Sequence, residues 1–192
     1  MNKGLILDRD GVIIEDVGFP HKISQLKFCE GSIEALHLAC SLGYKIVVVT
    51  NQSGIARGLF SIRDYKLFQD YLITQLLEKG IRISNTYFCP HLPEGWVEEY
   101  SMDCNCRKPK PGMIQAALKD FNLDPKESLV VGDRISDVVA GMRAGVHNNF
   151  IITNNSNFAI ERLRDTVDFD YKFFKGSYRN LGELAQSEFL IR

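Results

Sequence analysis

Near its start the chain reads Leu5-Ile6-Leu7-Asp8-Arg9-Asp10-Gly11, three apolar residues followed at once by two acids and a glycine. A short run that is apolar at every position predicts a strand buried on both faces, as in a parallel sheet. The glycine permits a backbone turn that most residues resist. Two acids one residue apart at such a turn can converge on one metal ion. The ion would neutralise the negative charge of a phosphate, which otherwise repels a carboxylate, so that Asp8 can attack as a nucleophile and Asp10 can protonate the leaving oxygen. On its own, the motif is more often a plain acidic turn at the end of a strand.

The same kind of apolar run recurs along the chain and indicates the fold class. Further strands are predicted at residues 46–49, 86–88, 129–131 and 150–152, and amphipathic helices at 32–42, 63–79, 112–120, 136–144 and 157–163. A weak sixth strand is predicted at 168–174, a turn at 175–178 and a last helix at 180–189. This alternation predicts an α/β fold, a doubly wound Rossmann-like parallel sheet with helices on both faces and ligands at the carboxyl ends of the strands.

Length and composition restrict the domain organisation and the kind of partner. We expect one domain over residues 1–192, without a cap domain, because the segments 10–31 and 51–63 are too short to hold one. Lys and Arg number 23 against 24 Asp and Glu, so no basic surface for nucleic acid or membrane is expected. The short apolar start and the lack of a long apolar run predict a cytoplasmic protein, which we expect to be a monomer with a small-molecule substrate.

Three more polar clusters follow predicted strands. Thr50-Asn51-Gln52-Ser53-Gly54 offers a hydroxyl and two amides suited to phosphate oxygens, and Arg107-Lys108 places cations ahead of a helix whose first turn carries Pro111. Gly132-Asp133 adds an acid that can complete a magnesium site, with Asp137 four residues further on. Each cluster alone could be an ordinary turn, but together they supply the separate requirements of phosphoryl transfer.

These residues resemble, in order, the four motifs of the haloacid dehalogenase (HAD) superfamily of phosphatases. The resemblance implies that Asp8 is the nucleophile, Asp10 the general acid and then base, and Thr50 and Lys108 the groups that stabilise the phosphoryl group. It also implies a catalytic Mg²⁺ held by Asp8, by the backbone carbonyl of Asp10 and by Asp133.

Within the superfamily, residues 5–145 are similar to the heptose bisphosphate phosphatases of nucleotide-activated heptose and lipopolysaccharide biosynthesis, which act on a phosphorylated sugar. The resemblance implies a further set of substrate-binding residues: Asp16, Gly18, Phe19, Asn51, Gln52, Ser53, Arg107 and Arg134. The chain departs from the usual pattern at Val12, Val17, Phe19 and Arg134. Histidinol-phosphate phosphatases share Cys89-Pro90-His91 and Gly132-Asp133, so histidinol phosphate and other small phosphate monoesters stay open as substrates. A non-catalytic, zinc-pinned interaction domain is the alternative from another class.

Three cysteines and one histidine form the second candidate metal site. Cys89-x-His91 and Cys104-x-Cys106 supply the four ligands of a closed tetrahedral zinc site, tighter in spacing than common zinc fingers. Four protein ligands leave no position for water, so the zinc is expected to be structural and to pin the loop 89–106 beside Lys108. The other interpretation is three thiols and an unrelated histidine. The remaining histidines and cysteines have no partner at ligand spacing: His21, His37, His147, Cys29 and Cys40.

Overall fold

Six parallel strands form the centre of the protein. The computed structural model describes residues 1–164, 166 and 168–189. The strands lie in the order β3-β2-β1-β4-β5-β6, with the following bounds: β1 Gly4–Leu7, β2 Lys45–Asn51, β3 Ile83–Cys89, β4 Leu129–Gly132, β5 Asn148–Ile152 and β6 Phe174–Tyr178. The helices between them are α1 Ser32–Ser41, α2 Ile62–Glu78, α3 Gly112–Asp120, α4 Ile135–Arg143, α5 Ser156–Arg164 and α6 Leu181–Leu184, which continues as a π turn over Ala185–Phe189. The predicted doubly wound α/β fold is confirmed.

The central strands are buried on both faces because their side chains alternate between two cores. Leu5 and Leu7 are fully buried among residues that include Leu36 of α1. Ile6, between them, is buried on the opposite face with Ile114 of α3. Alternation of this kind follows from the two-residue period of a strand. Continuous apolar runs were therefore the correct signal for a sheet covered on both sides.

The side of the sheet on which successive strands are added switches at β1. β2 and β3 lie to one side of it, and β4, β5 and β6 lie to the other. In open α/β sheets, ligands bind at such a switch point, outside the carboxyl ends of the strands. β1 pairs directly with β4, so the residues that follow these two strands, Asp8 and Asp133, come together at this edge.

The sixth strand is displaced from its predicted position. The turn predicted at residues 175–178 is wrong, because β6 spans Phe174–Tyr178 and pairs with β5. The strand predicted at 168–174 is also wrong, since Tyr171–Phe173 form a 3-10 turn in which the Asp170 carboxylate accepts a hydrogen bond from the Lys172 amide. Gly and Ser suit turns, but pairing with a buried neighbour overrides that local preference.

Loops, rather than long elements, cover the switch point. Between β1 and α1, the described chain has two isolated β-bridges, Asp10 to Ile14 and Ile14 to Phe28, and a 3-10 turn at Ile23–Gln25. The start of α4 is fixed by Asp137, whose carboxylate accepts a 2.9 Å hydrogen bond from the Arg134 amide.

In the described part of the chain, none of the helices combines the length and apolar character needed to span a bilayer.

Candidate active site

A polar cleft of about 310 Å³ opens at the carboxyl ends of the strands. All twelve residues predicted to act in catalysis or substrate binding line it: Asp8, Asp10, Asp16, Gly18, Phe19, Thr50, Asn51, Gln52, Ser53, Arg107, Lys108 and Arg134. Three other residues also line it, and sequence reasoning gave them no role: Arg57, Ser136 and Asp137. Segments far apart in the sequence thus meet in one site.

Lys108 is the buried cation at the floor of the cleft. Its Nζ lies 2.6 Å from Oδ1 of Asp137 and 3.1 Å from Oδ2 of Asp8, and it donates to the Val49 carbonyl at 2.7 Å. Burial alone would lower the pKa of Lys108, but the charges and hydrogen bonds of Asp137 and Asp8 outweigh it, so the pKa is raised. Lys108 therefore stays charged beside the Asp8 carboxylate.

Asn51 supports Lys108 rather than standing free in the cleft. Its amide oxygen accepts from the Lys108 backbone N–H at 3.1 Å, and its amide nitrogen donates to the Lys108 carbonyl at 3.0 Å. This double contact joins the end of β2 to the segment that precedes α3. The neighbouring Gln52 donates to the hydroxyl of Thr50 at 2.9 Å and to Asp10 at 3.0 Å.

Asp10 lies in a buried setting that suits a proton donor. Both of its carboxylate oxygens accept hydrogen bonds from the Arg9 guanidinium, at 2.7 and 3.0 Å. Burial raises the pKa of the Asp10 carboxyl, and this effect outweighs the opposing charge and hydrogen bonds of Arg9. A carboxyl with a raised pKa holds its proton more readily, as a general acid must.

Three carboxylates can hold a cation at the switch point. One oxygen each from Asp8, Asp133 and Asp137 lies within 4.8 Å of the others. Oδ1 of Asp133 is buried and accepts no hydrogen bond within the described chain. Burial, followed by the negative charges of Asp8 and Asp137, raises the pKa of Asp133 to about 7. Such a cluster of oxygen ligands fits Mg²⁺, which would relieve that repulsion.

Gly11 allows this carboxylate cluster to close. Its φ of +79° lies in the left-handed region, and a Cβ at this position would lie 2.5 Å from Oδ2 of Asp133. Any other residue would be strained and would push Asp133 out of place. The glycine of the first motif is therefore required by the carboxylate cluster as well as by the turn.

The predicted substrate loop is tied to the opposite side of the cleft. Asp16 accepts from the Gly18 amide at 2.9 Å and from the Arg134 guanidinium at 3.1 Å. Phe19 has a positive φ of 58° and is 39% exposed, so its ring stands at the mouth of the cleft rather than in the core. This arrangement leaves charged groups and one aromatic ring available to a polar ligand.

The four predicted zinc ligands converge on one point. Sγ of Cys106 lies 3.1 Å from Sγ of Cys89, 3.2 Å from Sγ of Cys104 and 3.3 Å from Nδ1 of His91. These separations exceed the S–S bond length of about 2.05 Å, so the thiols are not disulfide-bonded. Three thiol groups and one imidazole around one centre fit a tetrahedral zinc ion.

Backbone and side-chain contacts connect the loop 89–106 to the cleft. Arg107 donates to the His91 carbonyl at 3.2 Å. The amides of Trp96 and Val97 both donate to the Ala56 carbonyl, at 2.7 and 2.9 Å. The loop is thereby held against the segment that follows β2, so a metal bound at its base would fix Arg107 at the rim of the cleft.

Two residues important to this geometry had only weak signals in the sequence. In the sequence, Asp137 stands out only as an acid four residues after Asp133. An acid at the third position of a helix commonly accepts a hydrogen bond from the N-cap amide, and this contact holds Asp137 at the start of α4. Arg9 was visible as a charged residue between two acids directly after a buried strand. Nothing in the sequence indicated that its guanidinium would fold inward.

Comparison with known proteins agrees with this geometry. The strand order, the acid after β1 and the buried lysine define a HAD-like hydrolase, and the HAD-hydrolase-like family model matches residues 105–166. A D-glycero-beta-D-manno-heptose-1,7-bisphosphate 7-phosphatase of Pasteurella multocida is 41% identical over 86% of this chain and 95% of its own. The corresponding alpha-anomer enzyme of Photorhabdus laumondii is 46% identical over 78% and 82%. The chain therefore belongs to the D-glycero-D-manno-heptose-1,7-bisphosphate 7-phosphatase family, a phosphatase family of the HAD-like hydrolases.

Solved structures give the same result. The D,D-heptose 1,7-bisphosphate phosphatase of B. bronchiseptica, determined with magnesium and phosphate, superimposes with a TM-score of 0.82 at 26% identity over 99% of both chains. A HAD-like phosphatase from Mesorhizobium loti superimposes with a TM-score of 0.82 at 30% identity, over 96% of this chain and 85% of its own.

Proposed function

We propose that this protein hydrolyses the 7-phosphate of D-glycero-D-manno-heptose 1,7-bisphosphate with Mg²⁺, through an aspartyl-phosphate on Asp8. The observation that carries the proposal is the Asp8 carboxylate at the switch point, 3.1 Å from the Nζ of a buried lysine. Membership of the heptose bisphosphate phosphatase family supports the substrate. The polar, charged cleft supports a phosphorylated sugar over an apolar ligand.

In the first step, an oxygen of Asp8 attacks phosphorus and the bond from phosphorus to the sugar oxygen breaks. Asp10 donates its proton to that oxygen, so the sugar leaves as an alcohol. Lys108 and the Thr50 hydroxyl stabilise the negative charge on the transferring phosphoryl oxygens. The raised pKa of Asp10 supports its role as the proton donor.

In the second step, water attacks the phosphorus of the aspartyl-phosphate while Asp10 accepts a proton. Inorganic phosphate leaves, and the Asp8 carboxylate and protonated Asp10 are restored. The residues that would hold Mg²⁺ are Asp8, the backbone carbonyl of Asp10, and Asp133, where the ion would supply positive charge that offsets repulsion between carboxylate and phosphate. The short distances among the carboxylates support this site.

Substrate selection falls to the rim of the cleft. Asp16, Gly18 and Phe19 contact the sugar from one side, with Arg134 beside Asp16. Gln52, Ser53 and Arg107 bind it from the other side.

A structural zinc on Cys89, His91, Cys104 and Cys106 holds Arg107 in place, which the Arg107 hydrogen bond to the His91 carbonyl supports. We further propose that the protein acts as a single-domain monomer in the cytoplasm.

A substrate panel tests this proposal. Purified protein with Mg²⁺ is offered the heptose bisphosphate, histidinol phosphate and 4-nitrophenyl phosphate, and ³¹P NMR follows the products. We expect the heptose bisphosphate to be preferred, with its 7-phosphate lost and its 1-phosphate retained, and Asp8→Asn to be inactive. Preference for histidinol phosphate, loss of the 1-phosphate, or no turnover of any compound would each contradict it.

A further inference from the structure

Arg9 is a fully buried cation between the two acids of the first motif. It is 0% exposed and is among the largest fully buried side chains of the described chain. A guanidinium keeps its charge in a protein, so burial requires close partners. Arg9 donates from Nε to Oδ1 of Asp10 at 2.7 Å and from Nη2 to Oδ2 of Asp10 at 3.0 Å. Two parallel hydrogen bonds fix the plane of a carboxylate as well as its position.

The other side of the guanidinium is anchored in the body of the protein. Nη2 also donates to the Pro20 carbonyl at 3.0 Å, and Nη1 contacts Oε1 of Gln69 in α2 at 3.4 Å. The rings of Phe68 and Tyr65 lie 4.9 and 5.6 Å from the guanidinium carbon. Gln69 in turn donates to the Thr86 hydroxyl of β3 at 3.1 Å. Arg9 therefore cannot change orientation without moving α2.

These contacts leave the Asp10 carboxylate with one free lone-pair position. An ionised carboxylate has about four lone-pair positions. Arg9 occupies one on each oxygen, and Gln52 occupies the second on Oδ2, at 3.0 Å. Among the contacts of the described residues, Oδ1 alone keeps a position that can carry a proton to or from the cleft.

We propose that Arg9 is a positioning residue that holds Asp10 so that Oδ1 performs both proton transfers. This inference rests on the proposed function, because it assigns a cause to the geometry of the general acid. Arg9 is fully buried and is not among the residues that line the cleft, so it would contact neither the substrate nor phosphorus. Its effect should therefore appear only in steps whose rate depends on proton transfer by Asp10.

Two aryl phosphates of similar size isolate that dependence. Phenyl phosphate has a poor leaving group that needs a proton from Asp10, whereas 4-nitrophenyl phosphate has a leaving group stable enough to depart without one. The value of kcat/KM covers the steps from free enzyme and substrate through the first irreversible one, which is cleavage of this bond, and so excludes the later hydrolysis of the phosphoenzyme. A misplaced general acid should slow the first compound far more than the second, while general loss of structure would slow both alike.

Arg9→Lys is the main variant, since it keeps the buried positive charge but loses the bidentate hydrogen bonding to the Asp10 carboxylate. We expect kcat/KM for phenyl phosphate to fall by about 10- to 100-fold, because a misplaced general acid loses part of the roughly 10²- to 10⁴-fold that such catalysis supplies, and that for 4-nitrophenyl phosphate to fall by less than about threefold. Gln69→Met, which removes one anchor of Arg9, should give a smaller change in the same direction. Gln75→Met is the matched control on α2, because the Gln75 amide donates to the Glu78 carboxylate at the surface, away from Arg9.

Equal losses for the two aryl phosphates, or no loss for either, would overturn the inference. If Arg9→Lys does not fold, as judged by circular dichroism, Gln69→Met decides in its place: an unchanged ratio of the two kcat/KM values overturns the inference. Failure of the proposed function is seen separately, because it would appear as a lack of wild-type turnover of the heptose bisphosphate.

Discussion

The Nζ of Lys108 lies 2.6 Å from Oδ1 of Asp137, closer than its 3.1 Å distance to Oδ2 of Asp8, the proposed nucleophile. Both partners are almost fully buried. Asp137 is in turn fixed at the start of α4 by the Arg134 amide. The buried cation is therefore held by a residue that also caps α4, and Asp8 shares the ion pair of Lys108 with Asp137.

Asp137→Asn should weaken both stability and catalysis, because it leaves Lys108 with one carboxylate partner. We expect the free energy of unfolding to fall by about 3 kcal/mol or more, as for other broken buried ion pairs, and kcat by about tenfold or more. Urea unfolding and turnover of an aryl phosphate measure these quantities. Asp103→Asn is the control, because it removes the exposed ion pair with Lys110 and should behave like wild type. An Asp137→Asn enzyme as stable and as active as wild type would refute the role of this pair.

Magnesium affinity should depend on pH near neutrality. The pKa of Asp133 is raised to about 7 by burial and by its acidic neighbours, and Mg²⁺ binds the ionised form. Below pH 7 the apparent affinity should therefore rise by about tenfold per pH unit and level off above it. Isothermal titration calorimetry between pH 6 and 8 checks this. An affinity that does not vary over this range would contradict the expectation.

The same shift has a consequence for stability in the presence of a chelator. The folded-state pKa of Asp133 exceeds its ordinary value of 3.8, so between these two values the folded state binds more protons than the unfolded state. Its contribution to the free energy of unfolding is present at low pH and is lost as pH rises towards 7. Asp10 and Asp137, whose pKa values are also raised, act in the same direction. Added Mg²⁺ should restore the loss, which thermal unfolding at several pH values would measure.

Zinc should be present at about one ion per chain and should depend on the cysteine cluster. Cys104→Ser should lose the metal and lower activity, because the loop that positions Arg107 would be released, while Mg²⁺ affinity is retained. Metal analysis by mass spectrometry after dialysis measures the content. Cys40→Ser is the control, since Cys40 packs against the core away from this cluster and its variant should keep the zinc. Zinc-free wild-type protein with full activity would rule the site out.

The sequence was sufficient for the fold class because the strands next to the site are buried on both faces and read as apolar runs. The order of motifs then placed Asp8, Thr50 and Asp133 at one edge, since β1, β2 and β4 are parallel and end there. Edge strand β6 could not be found in this way, because Lys175, Gly176 and Ser177 are half solvent-facing and owe their conformation to pairing with β5. Partial burial removes the periodic signal.

The side-chain contacts within the site could not be predicted from the sequence either. Asn51 was assigned to the substrate, yet both ends of its amide contact the Lys108 backbone. Arg9 was given no role from the sequence, and its burial depends on α2, which begins more than fifty residues later. Such contacts depend on side-chain direction across distant elements, which spacing along the chain does not encode.

The central claim is that Asp8 carries the phosphoryl group, and rapid acid quenching during turnover tests it most directly. Peptides from the quenched enzyme are analysed by mass spectrometry, with Mg²⁺ and with a chelator. We predict a transient phosphate on the peptide that contains Asp8, present only with Mg²⁺ and absent from Asp8→Asn, which should also lack turnover. Phosphate on another residue, or turnover by Asp8→Asn at the wild-type rate, would contradict the account.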